Sequence, residues 1–182
     1  MKTKVIQALS RKLNANEPSA GQLRQASVAV ILTEPESPSV LLIRRADQVD
    51  DPWSGQVAFP GGKAQEEDRA LKETAIRETR EEVSIDLEQD ADFLGYFTPF
   101  RTHTGTLDVF PAVFLLKKRV KVHPNEEVSS YLWVKLEELT AEKARLSYRI
   151  DVGGRTREAP ALLVDDYVVW GLTHRIISSL FY

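Results

Sequence analysis

Three glutamates within residues 77–82 have the spacing and the chemistry of a cation-binding cluster. Glu78, Glu81 and Glu82 stand at positions i, i+3 and i+4, so their side chains project from one face of a helix. Each close pair of like charges costs about 0.2–0.5 kcal/mol on an exposed helix, and a bound cation would remove that cost. Because every ligand would be a carboxylate oxygen, the pattern favours Mg²⁺ or Mn²⁺.

A solvated acidic helix face, balanced by Arg77 and Arg80, is the alternative interpretation. The preceding residues 59–63, Phe-Pro-Gly-Gly-Lys, argue against it, because a double glycine lets the backbone turn tightly and approach a ligand. A helix is predicted over about 68–83. Asp68 is expected either to cap its N-terminus or to act as an outer partner of the metal.

The composition is that of an ordinary globular protein. The chain has 182 residues, of which 42% are hydrophobic and 28% charged, which is enough for a single domain over residues 1–182. The net charge of −3 gives no support for nucleic-acid binding. The absence of cysteine excludes disulfides, thiol nucleophiles and zinc–thiolate sites, and the three histidines are too scattered to suggest zinc.

The sequence also lacks the signals that direct a chain to membranes or secretion. No apolar run reaches about 18 residues, so we expect no membrane span. The N-terminal segment lacks the hydrophobic centre of a signal peptide. We therefore expect a cytoplasmic location.

Hydrophobic periodicity predicts alternating strands and helices. Strands are predicted near 27–33, 39–44, 56–59, 93–98, 107–116, 131–134, 147–150 and 167–170. Helices are predicted near 3–14, 68–83, from 136 onward, and over 171–181. Polar loops are predicted at 14–21, 34–39, 47–54 and 101–106, and glycines 153–154 separate the last two strands. This mixed order favours a single α/β domain.

The stretch from Gly62 to Ile85 resembles the Nudix box, G-x5-E-x7-R-E-U-x-E-E-x-G-U, in which U is an aliphatic residue. The matching positions are Gly62, Asp68, Arg77, Glu78, Glu81 and Glu82. The chain departs from this pattern by one extra residue before Arg77, by Thr79 in place of an aliphatic residue, and by Ser84 in place of the late glycine. The turn at Ser84 therefore either does not need a positive φ or is mildly strained.

This resemblance implies a Nudix-type α/β/α sandwich with a mixed β-sheet between helices. It implies Glu78, Glu81 and Glu82 as metal ligands. Glu81, Glu82, Arg77 and Glu127 are the expected catalytic residues, with Arg77 pairing with Glu81 and Glu127 contributed by a loop outside the box. Arg45, Gly62, Arg101 and His103 are the expected substrate-binding residues. Trp53, Phe59 and Phe100 are candidates to stack a base, although aromatic residues beside turns more often belong to a core.

A narrower resemblance links two segments to the coenzyme A diphosphatase branch of the Nudix hydrolases. Residues 41–46 (Leu-Leu-Ile-Arg-Arg-Ala) and 55–62 (Gly-Gln-Val-Ala-Phe-Pro-Gly-Gly) match its L-L-T-x-R-[SA] and G-x-V-A-F-P-G-G motifs in part. Ile43 replaces the threonine, and Trp53-Ser54 replaces a pair that usually contains histidine. The second arginine of the branch is missing, with acidic Asp50-Asp51 nearby.

The resemblance implies a Mg²⁺-dependent or Mn²⁺-dependent pyrophosphatase acting on a nucleoside diphosphate linked to another group. Coenzyme A or acyl-coenzyme A, cleaved to 3′,5′-ADP and 4′-phosphopantetheine, is the first expected substrate. ADP-ribose or a dinucleotide is the second, and a nucleoside triphosphate the third. A Nudix module that senses a nucleotide without cleaving it is the alternative from another class. We expect small-molecule partners rather than nucleic acid or membranes, and a homodimer is possible.

Overall fold

The protein is described here by a computed structural model that covers residues 4–18, 24–33, 37–49, 53–152 and 154–182. The predicted features at Asp50, Asp51 and Gly153, and parts of the predicted loops 14–21 and 34–39, lie outside these described residues. Five helices are observed in this part of the chain: α1 (Lys4–Ser10), α2 (Leu71–Val83), α3 (Leu87–Asp90), α4 (Leu136–Thr140) and α5 (Gly171–Phe181). A single 3₁₀ turn at Glu142–Ala144 follows α4.

Eleven strands are observed in the same residues: β1 (Arg24–Leu32), β2 (Ser39–Arg45), β3 (Val57–Ala58), β4 (Gly61–Lys63), β5 (Ala91–Tyr96), β6 (Phe100–Arg101), β7 (Leu107–Leu116), β8 (Val128–Lys135), β9 (Arg145–Val152), β10 (Arg155–Val164) and β11 (Tyr167–Trp170). The first eight form one mixed sheet with the order β3-β2-β1-β7-β5, in which β4 also pairs with β1, β6 with β7, and β8 with β2. Strands β1 and β7 are parallel, and the other described pairs are antiparallel. Strands β9, β10 and β11 form a separate three-stranded sheet.

Strand β1 shows why the large sheet needs cover on both faces. Residues 28–32 of this strand are all apolar, and alternate side chains of a strand point to opposite faces of the sheet. Ala29 and Ile31 pack in the core beneath α2, whereas Val30 and Leu32 pack in a second core with α1, α5 and the small sheet. This arrangement confirms the predicted α/β/α sandwich with a mixed sheet between helices. None of the helices in the described residues is long and apolar enough to cross a membrane.

Two sequence predictions about the elements are wrong. The signature helix begins at Leu71 rather than near residue 68, because Asp68 is used in a loop that precedes it. Strand β10 was not predicted, because its charged first half and Pro160 conceal a strand pattern. It nevertheless forms the centre of the small sheet, between β9 and β11.

Candidate active site

Helix α2 presents the three glutamates beside the glycine turn that joins β3 to β4. Glu82 is the most buried, with 3% of its surface exposed, and its Oε2 accepts a hydrogen bond of 2.9 Å from the backbone N–H of Gly61. The side chain of Glu78 is 18% exposed and that of Glu81 is 56% exposed. The carboxylates therefore run from buried to exposed, and their predicted placement on one helix face is confirmed.

Both glycines of the turn are closely packed, Gly61 against β1 and Gly62 against a carboxylate of the cluster. Gly61 has a φ of +153°, and a Cβ built on it would lie 2.4 Å from the carbonyl oxygen of Ser27 on β1. A Cβ on Gly62 would lie 2.4 Å from Oε1 of Glu78. Gly62 is therefore required by close packing against Glu78 rather than by an unusual φ. Its predicted contact with substrate stays a prediction.

Asp68 fixes the arginine of the signature. Oδ1 and Oδ2 of Asp68 accept hydrogen bonds of 3.1 and 3.0 Å from Nε and Nη2 of Arg77. The Arg77 hydrogen bond holds the pKa of Asp68 below its usual value, and the same bond raises the pKa of Arg77. The prediction that Asp68 caps the helix is wrong, because Ala70 holds the N-cap position and its side chain makes no capping hydrogen bond. Asp68 instead binds Arg77 from the loop.

Arg77 in turn contacts two of the glutamates. Its Nη1 lies 2.8 Å from Oε1 of Glu78 and 3.5 Å from Oε2 of Glu81. The predicted pair with Glu81 is confirmed, but the shorter contact is with Glu78. A guanidinium held by Asp68 thus sets the position of the Glu78 carboxylate.

Pairing between β2 and β8 brings two further predicted residues to the cluster. Arg45 pairs with Val128, and the carbonyl of Glu127 accepts a hydrogen bond of 2.8 Å from the N–H of Ala46. Glu127 interacts electrostatically with both Glu78 and Glu82, and Arg45 interacts with Glu82. The structure therefore brings Arg45, which precedes α2 in the chain, and Glu127, which follows it, to the glutamates of this helix.

The electrostatics of the cluster are dominated by burial. Burial raises the pKa of Glu82 to about 8, with repulsion from Glu78 and Glu127 adding to the increase and the Gly61 N–H and Arg45 opposing it. Burial also raises the pKa of Glu78, against the opposing effect of Arg77. Carboxylates that are desolvated and face one another ionise readily only when a cation joins them.

The donor atoms of this cluster suit a hard divalent ion, since they are all carboxylate oxygens. No group of three or more His, Cys, Asp or Glu side chains among the described residues already converges as a metal-binding cluster. Two of the carboxylates already have partners, since Glu82 accepts a hydrogen bond from Gly61 and Glu78 is paired with Arg77. Their oxygens fit a hard cation by their chemistry.

Arg101 and His103 are not brought to the glutamates. Arg101 lies on β6, where its Nε is 3.0 Å from Oδ1 of Asp108, and its side chain is 62% exposed. His103 is exposed in the following loop. Strands β7 and β1 lie between β6 and β4 in the sheet. The predicted binding roles of both residues stay predictions.

The aromatic candidates have different environments. Phe59 is 3% exposed and belongs to the core on the α5 side of the sheet, so the core interpretation holds for it. Phe100 stacks against Phe97 and lies beneath Arg175. Trp53 is 54% exposed, on the loop before β3. Among the three, Trp53 presents the most ring surface for a ligand.

Glu17, a residue that sequence analysis did not single out, caps the signature helix. Its Oε1 accepts a hydrogen bond of 2.6 Å from the N–H of Leu71. Its Oε2 accepts one from the hydroxyl of Tyr96, which in turn accepts a bond of 2.7 Å from the N–H of Lys72. Because 54 residues separate Glu17 from Leu71, no local sequence signal could have indicated this cap.

Glu17→Ala is expected to lower the free energy of unfolding by about 1–2 kcal/mol, since two N–H groups of the first turn lose their acceptor network. Urea unfolding followed by circular dichroism would measure the change. Asn16→Ala is the matched control, because its side chain is exposed on the same loop. Equal stabilities of the two variants would contradict the capping role.

The two departures from the Nudix pattern at the helix carry small local costs. Thr79 is fully buried, and its hydroxyl has no hydrogen-bond partner in the described part of the chain. Ser84 has φ 58° and ψ 31°, so the strained alternative for this turn is the correct one. Its hydroxyl donates to the carbonyl of His123 at 3.1 Å, which offsets part of the strain.

Thr79→Val is expected to stabilise the protein by about 1–2 kcal/mol, because the variant keeps the shape of the side chain and removes a buried, unpartnered hydroxyl. Thermal and urea unfolding would measure the gain. Thr74→Val provides the contrast, since the equally buried Thr74 hydroxyl donates to Oδ2 of Asp68 at 2.9 Å and its loss should destabilise. A loss of stability in Thr79→Val would contradict the assignment.

Most of the sequence matches the model of a known domain family. The model of the NUDIX domain matches residues 23–150, well over half of the chain. The chain belongs to the Nudix hydrolase family. Proteins described as uncharacterized Nudix hydrolases NudL from Pectobacterium atrosepticum and Yersinia enterocolitica are each 37% identical to it, over 162 and 166 residues. The alignments cover 87% and 89% of this chain and 82% of each relative.

Solved structures agree on the fold. A MutT/nudix family protein from Enterococcus faecalis has a TM-score of 0.53 at 19% identity, over 97% of this chain and 73% of that chain. The C. elegans Ap4A hydrolase has a TM-score of 0.51 at 22% identity, over 62% of this chain and 80% of that chain. At these identities the likeness establishes the fold alone.

As a Nudix hydrolase, this enzyme acts on nucleoside diphosphate derivatives, and the family generally needs divalent metal ions.

Proposed function

We propose that this Nudix hydrolase cleaves the diphosphate of coenzyme A or acyl-coenzyme A in the presence of Mg²⁺ or Mn²⁺. The products are 3′,5′-ADP and 4′-phosphopantetheine or its acyl form. The observation that carries the hydrolytic step is the pair of desolvated carboxylates, Glu78 and Glu82, packed against the glycine turn. The choice of coenzyme A is supported by the motif residues 41–46 and 55–62.

Each residue of the cluster has a role in this proposal. Glu78, Glu81 and Glu82 hold the cation, which when bound withdraws charge from the diphosphate and lowers the pKa of water. Glu81, Glu82 or Glu127 accepts the proton of the attacking water, whose oxygen forms a bond to phosphorus as the anhydride P–O bond breaks. The leaving phosphate keeps the electron pair of that bond. Arg45 pairs with the substrate phosphate.

Arg77 acts through Glu78 and Glu81 rather than on the substrate. Held by Asp68, it keeps both carboxylates aimed at the cation.

The single-domain organisation, the cytoplasmic location and the possible homodimer remain predictions from the sequence. A nucleotide-sensing role without turnover is disfavoured by the presence of all three signature glutamates.

A product assay in ¹⁸O-water tests the proposal. Coenzyme A, ADP-ribose, NADH and a nucleoside triphosphate are each incubated with Mg²⁺, and the products are identified by mass spectrometry. We expect 4′-phosphopantetheine from coenzyme A, with ¹⁸O on the attacked phosphate, and far less of it from Glu81→Gln. Glu88→Gln, exposed and paired with Arg80, is the matched control.

The other outcomes each have a distinct meaning. Preferred cleavage of ADP-ribose or NADH would overturn the coenzyme A assignment and keep the hydrolytic chemistry. Binding of a nucleotide with no turnover under Mg²⁺ or Mn²⁺ would overturn the proposed hydrolysis.

A further inference from the structure

A cleft of about 320 Å³ lies between the strand before the glycine turn and the small C-terminal sheet. One wall is formed by residues 54–57, and the other carries Tyr148, Asp166, Tyr167 and Trp170. In the second wall, residues 166–170 lie beyond the part of the sequence that matches the NUDIX domain, which ends at residue 150. The cleft is therefore built jointly by the family domain and by the C-terminal strands.

The cleft adjoins the candidate active site through β2. The N–H of Arg45 donates to the carbonyl of Gln56, a lining residue, at 3.0 Å, while the Arg45 guanidinium interacts with Glu82. The five residues from Val57 to Gly61, which are separated by four steps along the chain, span at most about 13 Å, which is comparable to the length of a nucleoside diphosphate. Since α2 and the small sheet cover opposite faces of the large sheet, a group attached to a diphosphate beside the glutamates must pass from one face to the other to enter the cleft.

The chemistry of the lining selects the kind of group. The rings of Tyr148 and Trp170 have centroids 6.1 Å apart and planes inclined at 41°, and Tyr167 adds a third ring. Asp166, exposed on the turn between β10 and β11, places a hydrogen-bond acceptor at the rim. None of the lining residues identified in the described chain is basic, which disfavours a phosphate there.

We propose that this cleft binds the adenine base of the substrate. The base contacts the rings of Tyr148 and Trp170, and its exocyclic amino group donates a hydrogen bond to the carboxylate of Asp166. The proposal extends the proposed function, because it names the half of the substrate that lies in the cleft. Binding of a base can be measured without turnover, so the two ideas can fail separately.

The test is a chemical-shift titration of metal-free, ¹⁵N-labelled protein with adenosine and with inosine, whose base lacks the amino group. The three tryptophans give three indole N–H signals, and Trp170→Phe identifies one of them. We expect adenosine to shift the Trp170 signal saturably and to bind about tenfold more tightly than inosine. Trp133, which packs against the α2-side core, should not respond.

Two variants separate the base contact from a structural effect. Asp166→Asn is expected to abolish the preference for adenosine, because the amide can either accept from the amino group of adenosine or donate to the carbonyl oxygen of inosine. Asp165→Asn is the matched control: Asp165 lies on the same turn with φ 50°, a conformation that asparagine tolerates, and the preference should persist. Equal binding of the two nucleosides by the wild type would overturn the proposal, as would an unchanged preference in Asp166→Asn.

Titration with 4′-phosphopantetheine tests whether the cleft binds the other half of coenzyme A instead of the base. If 4′-phosphopantetheine shifts the Trp170 signal and adenosine does not, the cleft holds the other half of coenzyme A and the base assignment is wrong. If adenosine binds as expected and the product assay gives no turnover, the cleft assignment stands while the proposed function fails.

Discussion

Glu82→Gln is expected to lower kcat/KM by about a thousandfold while the protein stays folded. The glutamine keeps the size of the side chain, and its amide oxygen can still accept the hydrogen bond from Gly61. What is lost is the negative charge that we propose holds the cation. The variant therefore separates the electrostatic role of Glu82 from its place in the packing.

The stabilities of the wild-type protein and of Glu82→Gln are expected to depend differently on pH. In the metal-free protein the pKa of Glu82 is raised to about 8 from an ordinary 4.5, so folding favours the protonated form. The stabilisation is fully present below about pH 4.5 and is lost as pH rises through about 8. Wild-type protein in EDTA should thus lose stability across this window, and Glu82→Gln should lose less.

Steady-state kinetics with Mg²⁺ and urea unfolding in EDTA at pH 5, 7 and 9 would measure both effects. Glu88→Gln serves as the control, since its carboxylate is 71% exposed and paired with Arg80. Parallel pH profiles for wild type and Glu82→Gln would show that burial does not perturb this group. Turnover close to that of the wild type would remove Glu82 from the proposed metal ligands.

Gly62→Ala is expected to lower kcat/KM by about a hundredfold, because the added methyl group occupies the position of the Glu78 carboxylate. A Cβ at 2.4 Å from Oε1 cannot coexist with that side chain, so Glu78 must swing away from Arg77. A misplacement of about 1 Å in a catalytic arrangement can cost about a hundredfold in rate. Stability should change less, since a side chain can move more easily than backbone.

Activity assays on purified Gly62→Ala, with a melting curve for each sample, would measure this effect. Gly154→Ala is the matched control, because a Cβ there meets nothing within 4 Å although its φ is +76°. It should lose some stability through backbone strain and keep its activity. Full activity in Gly62→Ala would mean that the position of Glu78 is not critical for turnover.

Local patterns in the sequence were sufficient to predict the signature helix and most of the strands. The i, i+3, i+4 spacing of Glu78, Glu81 and Glu82 specifies a shared face in any helix, whatever surrounds it. The apolar runs of β1 and β7 indicate buried strands because both faces of the central sheet are covered. The pair between Arg77 and Glu81 follows from helical geometry alone.

The tertiary structure decided what depends on contacts between distant residues. Whether Asp68 caps a helix or binds Arg77 depends on the path of a loop, and the cap that Glu17 supplies to α2 spans 54 residues. The burial that raises the pKa of Glu82 is a property of the packed fold and not of the box. The C-terminal cleft exists only because β10, which has no clear strand pattern, places Asp166 and Trp170 opposite the loop before β3.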